Sequence, residues 1–203
     1  MSKGNKTRVR NFFKVVRRHR DDYGKIKQEF KKLLSIPDVD INTQEYRDFT
    51  LLHLVVRYDN PKLIELFAKA GVNPEISGTH GDTPLHYGVM RNRALAVNKL
   101  LDLGANIDVG SEHEQTPLHY AVSYNRYEMA NLLVERGASI DMADENGLTP
   151  LHYAIDEENI KIIELLLENG ADIFCEDYDG NSCYDLGLNT KNKKLMKILK
   201  NYD

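Results

Sequence analysis

Hydrophobic residues recur along the chain in pairs of short runs with the spacing of amphipathic helices. In one such pair, Leu151, Ala154 and Ile155 fall on one helical face, and a second apolar run follows over residues 160–167. A polar stretch separates the two runs, and Gly170 can end the second one by adopting a left-handed conformation. This segment is therefore predicted to fold as two short antiparallel helices.

The same pattern returns every 33 residues. The hexapeptide Thr-Pro-Leu-His-Tyr-Ala begins at Thr116 and Thr149, and a copy with a final glycine begins at Thr83. Degenerate copies begin at Thr50 and Ser182. Glycines keep the same period at Gly71, Gly104, Gly137 and Gly170. Because two independent markers stay in phase, the chain is predicted to consist of stacked repeats, each too small to bury its apolar face alone.

The residue types of the motif suit the start of a helix. Thr149 can cap the helix by accepting the amide hydrogen of His152. Pro150 fits the first helical position, because no amide hydrogen is needed there. The imidazole of His152 can bond laterally to the neighbouring turn. The motif is therefore interpreted as a structural start signal for the first helix of each unit.

The motif and its period resemble the ankyrin repeat, whose signature is Thr-Pro-Leu-His-x-Ala. The resemblance implies an all-α fold, an ankyrin-repeat α-solenoid in which β-turn fingers alternate with antiparallel helix pairs. About five repeats are expected, over residues 41–73, 74–106, 107–139, 140–172 and 173–203. Asp48 and Glu114 stand where the turn glycine belongs. Because a non-glycine residue in a left-handed turn costs about 1 kcal/mol, altered finger turns are expected in repeats one and three.

The residues before the repeats are predicted to form a tail and a cap. Residues 1–8 are polar and basic, and they are expected to be disordered. Residues 9–40 carry apolar side chains at helical spacing, in phase with the repeats, although residues 17–20 replace the motif with Arg-Arg-His-Arg. We therefore expect a degenerate N-terminal capping helix pair ahead of a repeat domain at residues 41–203.

Charge is distributed unevenly along the chain, whose formal net charge is −4. Residues 1–32 hold twelve Lys and Arg against three acids, a net +9, which leaves −13 for the remainder. This basic head can be a solvated cap that complements the acidic repeats, a site for nucleic acid or an anionic membrane, or a targeting signal for the nucleus or the mitochondrion. The basic patch comprises Lys14, Arg17, Arg18 and Arg20.

Composition bears on compartment and membrane association. No run of about 18 apolar residues occurs, so no transmembrane helix is expected, and no apolar signal-peptide core follows the first methionine. Cys175 and Cys183 are too few for a disulfide scaffold and suit reduced thiols. We expect a cytoplasmic protein, or a nuclear one. Its Asn, Lys, Ile and Tyr usage favours an AT-rich genome, so an effector in a host-cell cytosol is an alternative.

Seven histidines raise the question of catalysis or metal binding. Four of them belong to the repeated motif, where bonding to the neighbouring turn explains them. His80 and His113 lie one period apart at finger tips, where a metal pair is an alternative to plain contact residues. No phosphate-binding glycine loop or nucleophile motif occurs. We therefore predict no catalytic residue, no metal, no cofactor and no enzymatic activity.

Members of the ankyrin family usually meet their partners at the finger tips and at the exposed ends of the first helices. Carried over by their offset from each motif threonine, the predicted partner-binding residues are Tyr46, Arg47, Phe49, Arg57, Tyr58, His80, Met90, Arg91, His113, Tyr124, Leu148, Asp156 and Glu157. The early part of this set is aromatic and basic, as binding hot spots are, and its late part is acidic. The alternative is that Phe49 tucks against the N-terminal cap and that Tyr58 packs on its neighbour.

The predicted function is that of a scaffold, adaptor or effector that binds a protein partner in its concave groove. The partner is expected to be a protein with an apolar ridge and an acidic rim that lies across repeats one to three, with a basic segment extending over repeat four. The chain itself is expected to be a monomer. The alternative function is a regulator that binds nucleic acid or anionic membrane through the basic head, residues 3–32. Asn42 is a candidate modification site, because the residues around it resemble the acceptor pattern of asparaginyl hydroxylases.

Overall fold

The computed structural model describes residues 3–45 and 49–202, without the side chains of residues 3 and 5. Within these residues the backbone forms twelve α-helices and no extended strand, although isolated antiparallel bridges join Glu45 to Phe49 and Glu176 to Ser182. The helices are α1 (Lys3–Arg18), α2 (Tyr23–Leu34), α3 (Leu51–Val56), α4 (Pro61–Lys69), α5 (Pro84–Met90), α6 (Ala94–Asp102), α7 (Pro117–Ser123), α8 (Tyr127–Glu135), α9 (Pro150–Asp156), α10 (Ile160–Glu168), α11 (Cys183–Asn189) and α12 (Lys193–Leu199).

The predicted two-helix repeat is confirmed. Each of the five repeats has a first helix of six or seven residues, which begins directly after the motif threonine or serine. A second helix of seven to nine residues packs against it. Left-handed glycines follow four of the second helices, with φ between 85° and 89° at Gly71, Gly104, Gly137 and Gly170. These glycines turn the chain into the next finger.

The tail predicted to be disordered at residues 1–8 is helical from Lys3, where α1 begins, and residues 1 and 2 lie outside the described residues. The apolar residues of this helix, Val9, Phe12, Phe13 and Val16, are buried on one face. Once that face has nucleated a helix, each further residue adds a backbone hydrogen bond, so the helix extends into the polar residues ahead of Val9. The expected tail is therefore helical over residues 3–8.

The helix pair α1–α2 stacks on the first repeat as a cap. Helix α1 packs on α2 and α3, and α2 packs on α4. The rings of Phe12, Phe30 and Phe67 join these elements. Their centroids are 5.3 Å apart for Phe12 and Phe30, 4.6 Å for Phe30 and Phe67, and 6.0 Å for Phe12 and Phe67. Asp38 has a φ of 57° and stands one period before Gly71, so the turn after α2 keeps the phase of the repeats.

The start of the cap, however, does not follow the 33-residue phase of the repeats. Residues 17–20 lie at the end of α1 and in the following turn, whereas the motif that they were expected to replace begins a helix. The reason is local, because the apolar face of α1 ends at Val16 and the carboxylate of Asp22 caps α2 by accepting the amide hydrogen of Lys25 at 2.8 Å. The first helix of the cap therefore lies earlier in the chain than the period predicts.

The finger turn of repeat three keeps the common geometry, contrary to expectation. The amide of Ser111 donates to the carbonyl of Gln115 at 2.9 Å, as the amide of Asp144 does to Leu148 at 2.9 Å in repeat four. Glu114 takes the left-handed conformation of the missing glycine, with a φ of 58°. The turn is thus held with backbone strain at Glu114. The corresponding residue of repeat one, Asp48, lies outside the described residues.

The chain divides into two compact units, Met1–Asn106 and Ile107–Asp203, called unit 1 and unit 2. The boundary falls where predicted repeats two and three meet. Unit 1 contains nineteen Lys and Arg against twelve Asp and Glu, a net charge of +7. Unit 2 contains eight against nineteen, a net charge of −11. The two units therefore present surfaces of opposite charge to solvent.

Candidate protein-interaction surface

The motif histidines connect neighbouring repeats. In repeat one, the amide of Thr50 donates to Nδ1 of His53 at 3.1 Å, and Nε2 of His53 lies 2.9 Å from the carbonyl oxygen of Asp82 in the next finger. In unit 2, Nε2 of His119 and of His152 lie 3.0 Å and 3.3 Å from the corresponding carbonyl oxygens. The predicted lateral bond is thus present in these three repeats.

These contacts fix the imidazole of His53 in its neutral form. Because Nδ1 of His53 accepts an amide hydrogen, the ring proton must sit on Nε2, which donates to the carbonyl of Asp82. Burial lowers the pKa of His53 to about 4, although the backbone hydrogen bond to Asp82 opposes the shift. Burial also lowers the pKa of His119. These histidines are therefore structural links between repeats.

Besides the histidine bonds, a second set of hydrogen bonds joins neighbouring repeats, and it was not predicted from the sequence. A side-chain oxygen of one finger accepts a backbone amide hydrogen of the next, 31 residues later, at 2.7–3.1 Å. The acceptors are Asn42, Glu75, Asp108 and Asp141, which themselves recur every 33 residues. This recurrence was the signal in the sequence that could have revealed these hydrogen bonds. Asn42 also donates its side-chain amide to the carbonyl of Gly71 at 3.3 Å, so the candidate modification site holds two fingers together.

Four predicted partner-binding residues of unit 1 lie at equivalent ends of neighbouring helices. Arg57 and Tyr58 follow the end of α3, and Met90 and Arg91 lie at the end of α5. Helices α3 and α5 pack side by side, so these residues share one surface, which we call the unit 1 surface. Both arginines are exposed, while Tyr58 and Met90 are half-buried. The guanidinium of Arg91 lies 5.4 Å from the centroid of the Tyr87 ring.

Phe49 supports this surface from within. Its ring stacks on the imidazole of His53 at 4.8 Å with an interplanar angle of 5°, and it meets the ring of Tyr87 at 5.0 Å. Phe49 is half-buried as a result. Phe49 is therefore a packed residue, but its ring contacts are with His53 and Tyr87, whereas the alternative considered above placed it against the cap. Tyr46 and Arg47 lie outside the described residues.

The two finger-tip histidines have different surroundings. His80 is exposed in a short turn at Thr79–Gly81, where it adopts a φ of 64°. Nδ1 of His113 lies 2.7 Å from Oε1 of Glu145, and the amide of Glu145 donates to the carbonyl of His113 at 3.2 Å. His113 thus joins two adjacent fingers of unit 2. Among the described residues, no group of three or more His, Cys, Asp or Glu is arranged to hold a metal ion.

A half-buried polar network around the buried carboxylate of Asp144 fixes the fingers of unit 2. The hydroxyl of Tyr153 donates to Oδ2 of Asp144 at 2.7 Å and accepts from the amide of Gln115 at 2.6 Å. Asp144 also accepts the backbone amides of Asn146 and Leu148 at 2.8 Å and 3.0 Å. Burial, followed by the Asp144 carboxylate, raises the pKa of Tyr153 to about 12. Leu148 is half-buried, and its backbone belongs to this network.

The remaining predicted residues of unit 2 are exposed at the ends of the first helices. Tyr124 follows α7 with 46% of its surface accessible, and Asp156 and Glu157 lie at the end of α9. Because α7 and α9 pack side by side, these three residues form the unit 2 surface. Tyr178 was not among the predicted site residues, yet it is 78% exposed at the last finger tip. Its ring lies against Gly147, where a side chain would collide with it.

The predicted basic patch is also solvent-exposed. Lys14, Arg17, Arg18 and Arg20 all have exposed side chains. Nε of Arg20 lies 3.4 Å from the carboxylate of Asp21. Within the described part of the chain, no helix has the length and apolar character needed to cross a bilayer.

The comparisons with known proteins agree with the geometry of the repeats. No curated protein matches the chain. The family model described as ankyrin repeats (3 copies) matches residues 23–112 and 96–177, which together cover more than half of the chain. The motif capping, the lateral histidine bonds and the left-handed glycines described above are the structural counterparts of that match. The chain therefore belongs to the ankyrin-repeat family.

Proposed function

We propose that the protein is a non-enzymatic interaction module, acting as a scaffold, adaptor or effector that binds a protein partner. Ankyrin repeats are generally protein–protein interaction modules. The motif histidines His53, His119 and His152 are occupied by links between repeats. The variable, exposed positions at the ends of the first helices are thereby left for partner contacts.

The observation that carries the proposal is the composition of the unit 1 surface. Arg57, Tyr58, Met90 and Arg91 combine two exposed cations with two half-buried side chains that are large and partly apolar. Tyrosine and arginine are enriched among residues that dominate binding energy. The Tyr87 ring beneath Arg91 restricts the guanidinium, which lowers the entropy lost when a partner binds.

The chemistry of this surface indicates the chemistry of its partner. Arg57 and Arg91 fit a partner with an acidic rim, and Tyr58 and Met90 fit an apolar ridge between the acids. In unit 2 the equivalent positions carry Asp156 and Glu157. We propose that a basic segment of a partner contacts this second surface.

Affinity capture from a eukaryotic lysate with paired variants tests the unit 1 surface. The double substitution Arg57→Glu/Arg91→Glu should abolish capture of the specific partner and slow its association at least tenfold, because both rim charges become repulsive. The matched control is Lys31→Glu/Lys62→Glu, which changes net charge equally at exposed positions of the second helices. Capture that survives Arg57→Glu/Arg91→Glu, or is lost equally in the control, would place the partner elsewhere.

We also propose that the protein acts in a reducing compartment, the cytoplasm of its own or of a host cell. Cys175 and Cys183 are free thiols, and free thiols are typical of such compartments. A fluorescent fusion expressed in eukaryotic cells would show the compartment. Nuclear accumulation that depends on Arg17, Arg18 and Arg20 would replace this placement with a nuclear one.

A further inference from the structure

Helix α1 displays a row of cations along one side. Lys6, Arg10, Lys14 and Arg17 follow one another at spacings of four, four and three residues, which places them on a single helical face. All four are exposed. We call this row the α1 stripe. The apolar residues beside it are buried against α2 and α3, so the stripe is held on a rigid support.

Most charges of the α1 stripe lack a carboxylate partner. Nε of Arg10 lies 2.9 Å from Oε2 of Glu45, whereas Lys6, Lys14 and Arg17 form no ion pair with any carboxylate of the described residues. Nζ of Lys14 donates to the amide oxygen of Asn11 at 3.5 Å. Folding therefore concentrates positive charge on α1 and pairs only Arg10 of the stripe with a carboxylate of the described residues.

We infer that the α1 stripe binds the phosphate backbone of double-stranded nucleic acid, without reading its base sequence. Duplex DNA carries about one negative charge per 1.7 Å of its axis, and each lysine or arginine that neutralises a phosphate releases a condensed counterion. A helix of the length of α1 extends over about 24 Å, so its cations can meet several phosphates at once.

The structure disfavours other anionic partners for this face. A helix that lies in a membrane inserts its apolar side into the lipid, but the apolar side of α1 is buried in the protein. Proteins that hold single-stranded nucleic acid stack its bases on aromatic side chains, and no exposed side chain described on α1 is aromatic. An acidic protein would need an apolar anchor at the centre of its interface, which the α1 stripe does not offer.

Fluorescence anisotropy with a labelled duplex of about 20 base pairs, longer than the span of α1, tests the inference on the full chain. The wild type should bind two unrelated sequences equally, with an affinity that falls steeply as salt is raised. Lys6→Gln/Lys14→Gln/Arg17→Gln should weaken binding at low salt more than tenfold. It should also reduce the slope of log affinity against log salt by about 2.7, since each phosphate contact contributes about 0.9.

The matched control is Lys193→Gln/Lys194→Gln/Lys197→Gln, which removes the same charge from exposed positions of α12 in unit 2. This variant should bind the duplex as the wild type does. Circular dichroism melts of both variants verify that they fold. Equal loss of affinity in the control, absence of salt-dependent binding in the wild type, or binding to phosphatidylserine vesicles but not to duplex would each overturn the inference.

Discussion

At the scale of single residues, the motif histidine performs two structural tasks with one ring. In repeat one, Nδ1 of His53 accepts the amide hydrogen of Thr50, and Nε2 donates to Asp82 in the next finger. A second proton would place Nδ1–H against the amide hydrogen of Thr50, so the repeat can hold only the neutral ring. The residue type that suggested catalysis is thus used to join neighbouring repeats.

The neutral imidazole predicts how stability depends on pH. Burial holds the pKa of His53 at about 4 in the folded protein, below the ordinary value of about 6.5 that applies when the chain is unfolded. The unfolded state therefore binds more protons in this window, and the contribution of His53 is complete above pH 6.5 and lost as the pH falls towards 4. The expected loss is about 3 kcal/mol, at 1.36 kcal/mol per pKa unit, and His119 acts in the same direction.

Urea unfolding at several pH values between 4.5 and 7.5 measures this dependence. The substitution His53→Gln should reduce the change in unfolding free energy over that range, because glutamine does not titrate. His80→Gln, at an exposed finger turn, controls for the loss of an imidazole as such. A pH dependence identical in His53→Gln and in the wild type would contradict the assignment.

At the scale of secondary-structure elements, the second helices differ in how they begin. Asn60, Asn159 and Asn192 cap α4, α10 and α12, each accepting a backbone amide hydrogen of the first turn. Arg93 and Arg126 stand at the equivalent positions of α6 and α8 without a side-chain cap. The buried Nε atoms of both arginines have no hydrogen-bond partner among the described residues. Two of the five second helices therefore lack a side-chain hydrogen bond that caps their N-terminus.

Replacing either arginine by asparagine should stabilise the protein. The backbone of Arg93, with φ −101° and ψ 74°, is close to that of Asn60, with φ −108° and ψ 94°, so Arg93→Asn can cap α6 without rearrangement. Restoring a cap contributes about 1 kcal/mol, and the same applies to Arg126→Asn. Thermal melts followed by circular dichroism should show a higher Tm. The control variant Asn60→Ala, which removes an existing cap, should lower the Tm by a similar amount. A lower Tm for Arg93→Asn would show that packing of the arginine stem outweighs the cap.

How far the sequence determined these elements depends on whether a residue acts locally. Thr116 and Pro117 begin a helix by their own chemistry, so the motif predicted every first helix that follows such a pair. The start of α1 at Lys3 and the strained turn at Glu114 depend on neighbours that override local preference. The bond between Tyr153 and Asp144 joins side chains nine residues apart and could not be read from either one alone. The position of Phe49 between His53 and Tyr87 needed the packing of two repeats.

At the scale of the whole molecule, the N-terminal helix pair has two roles, one on its apolar side and one on its charged side. Its apolar side covers the first repeat, where Phe67 is fully buried and packs on Phe12 and Phe30. Its exposed side carries the α1 stripe. A terminal repeat must cover the apolar face of its neighbour and present polar residues to water, and the cationic side chains fulfil the second requirement whatever else they bind.

Deleting residues 1–40 should therefore destabilise unit 1 through lost burial and not through lost charge. Phe67 would become exposed, and losing its contacts with two phenylalanines should cost at least the 3–5 kcal/mol typical of truncating one buried phenylalanine. Hydrogen exchange followed by mass spectrometry should show faster exchange of the amides in α3 and α4. The full-length variant Phe30→Ala should show a smaller change of the same kind.

The charge-only variant Lys6→Gln/Lys14→Gln/Arg17→Gln separates the two roles of the helix pair. It leaves Phe12 and Phe30 in place, so α3 and α4 should keep wild-type protection while duplex binding weakens more than tenfold. If this variant also exposed the amides of α3 and α4, the cations would be needed for folding, and a loss of nucleic-acid binding could no longer be assigned to the α1 stripe. If deletion of residues 1–40 left α3 and α4 protected, the pair would not be a cap, because the apolar face around Phe67 would not need covering.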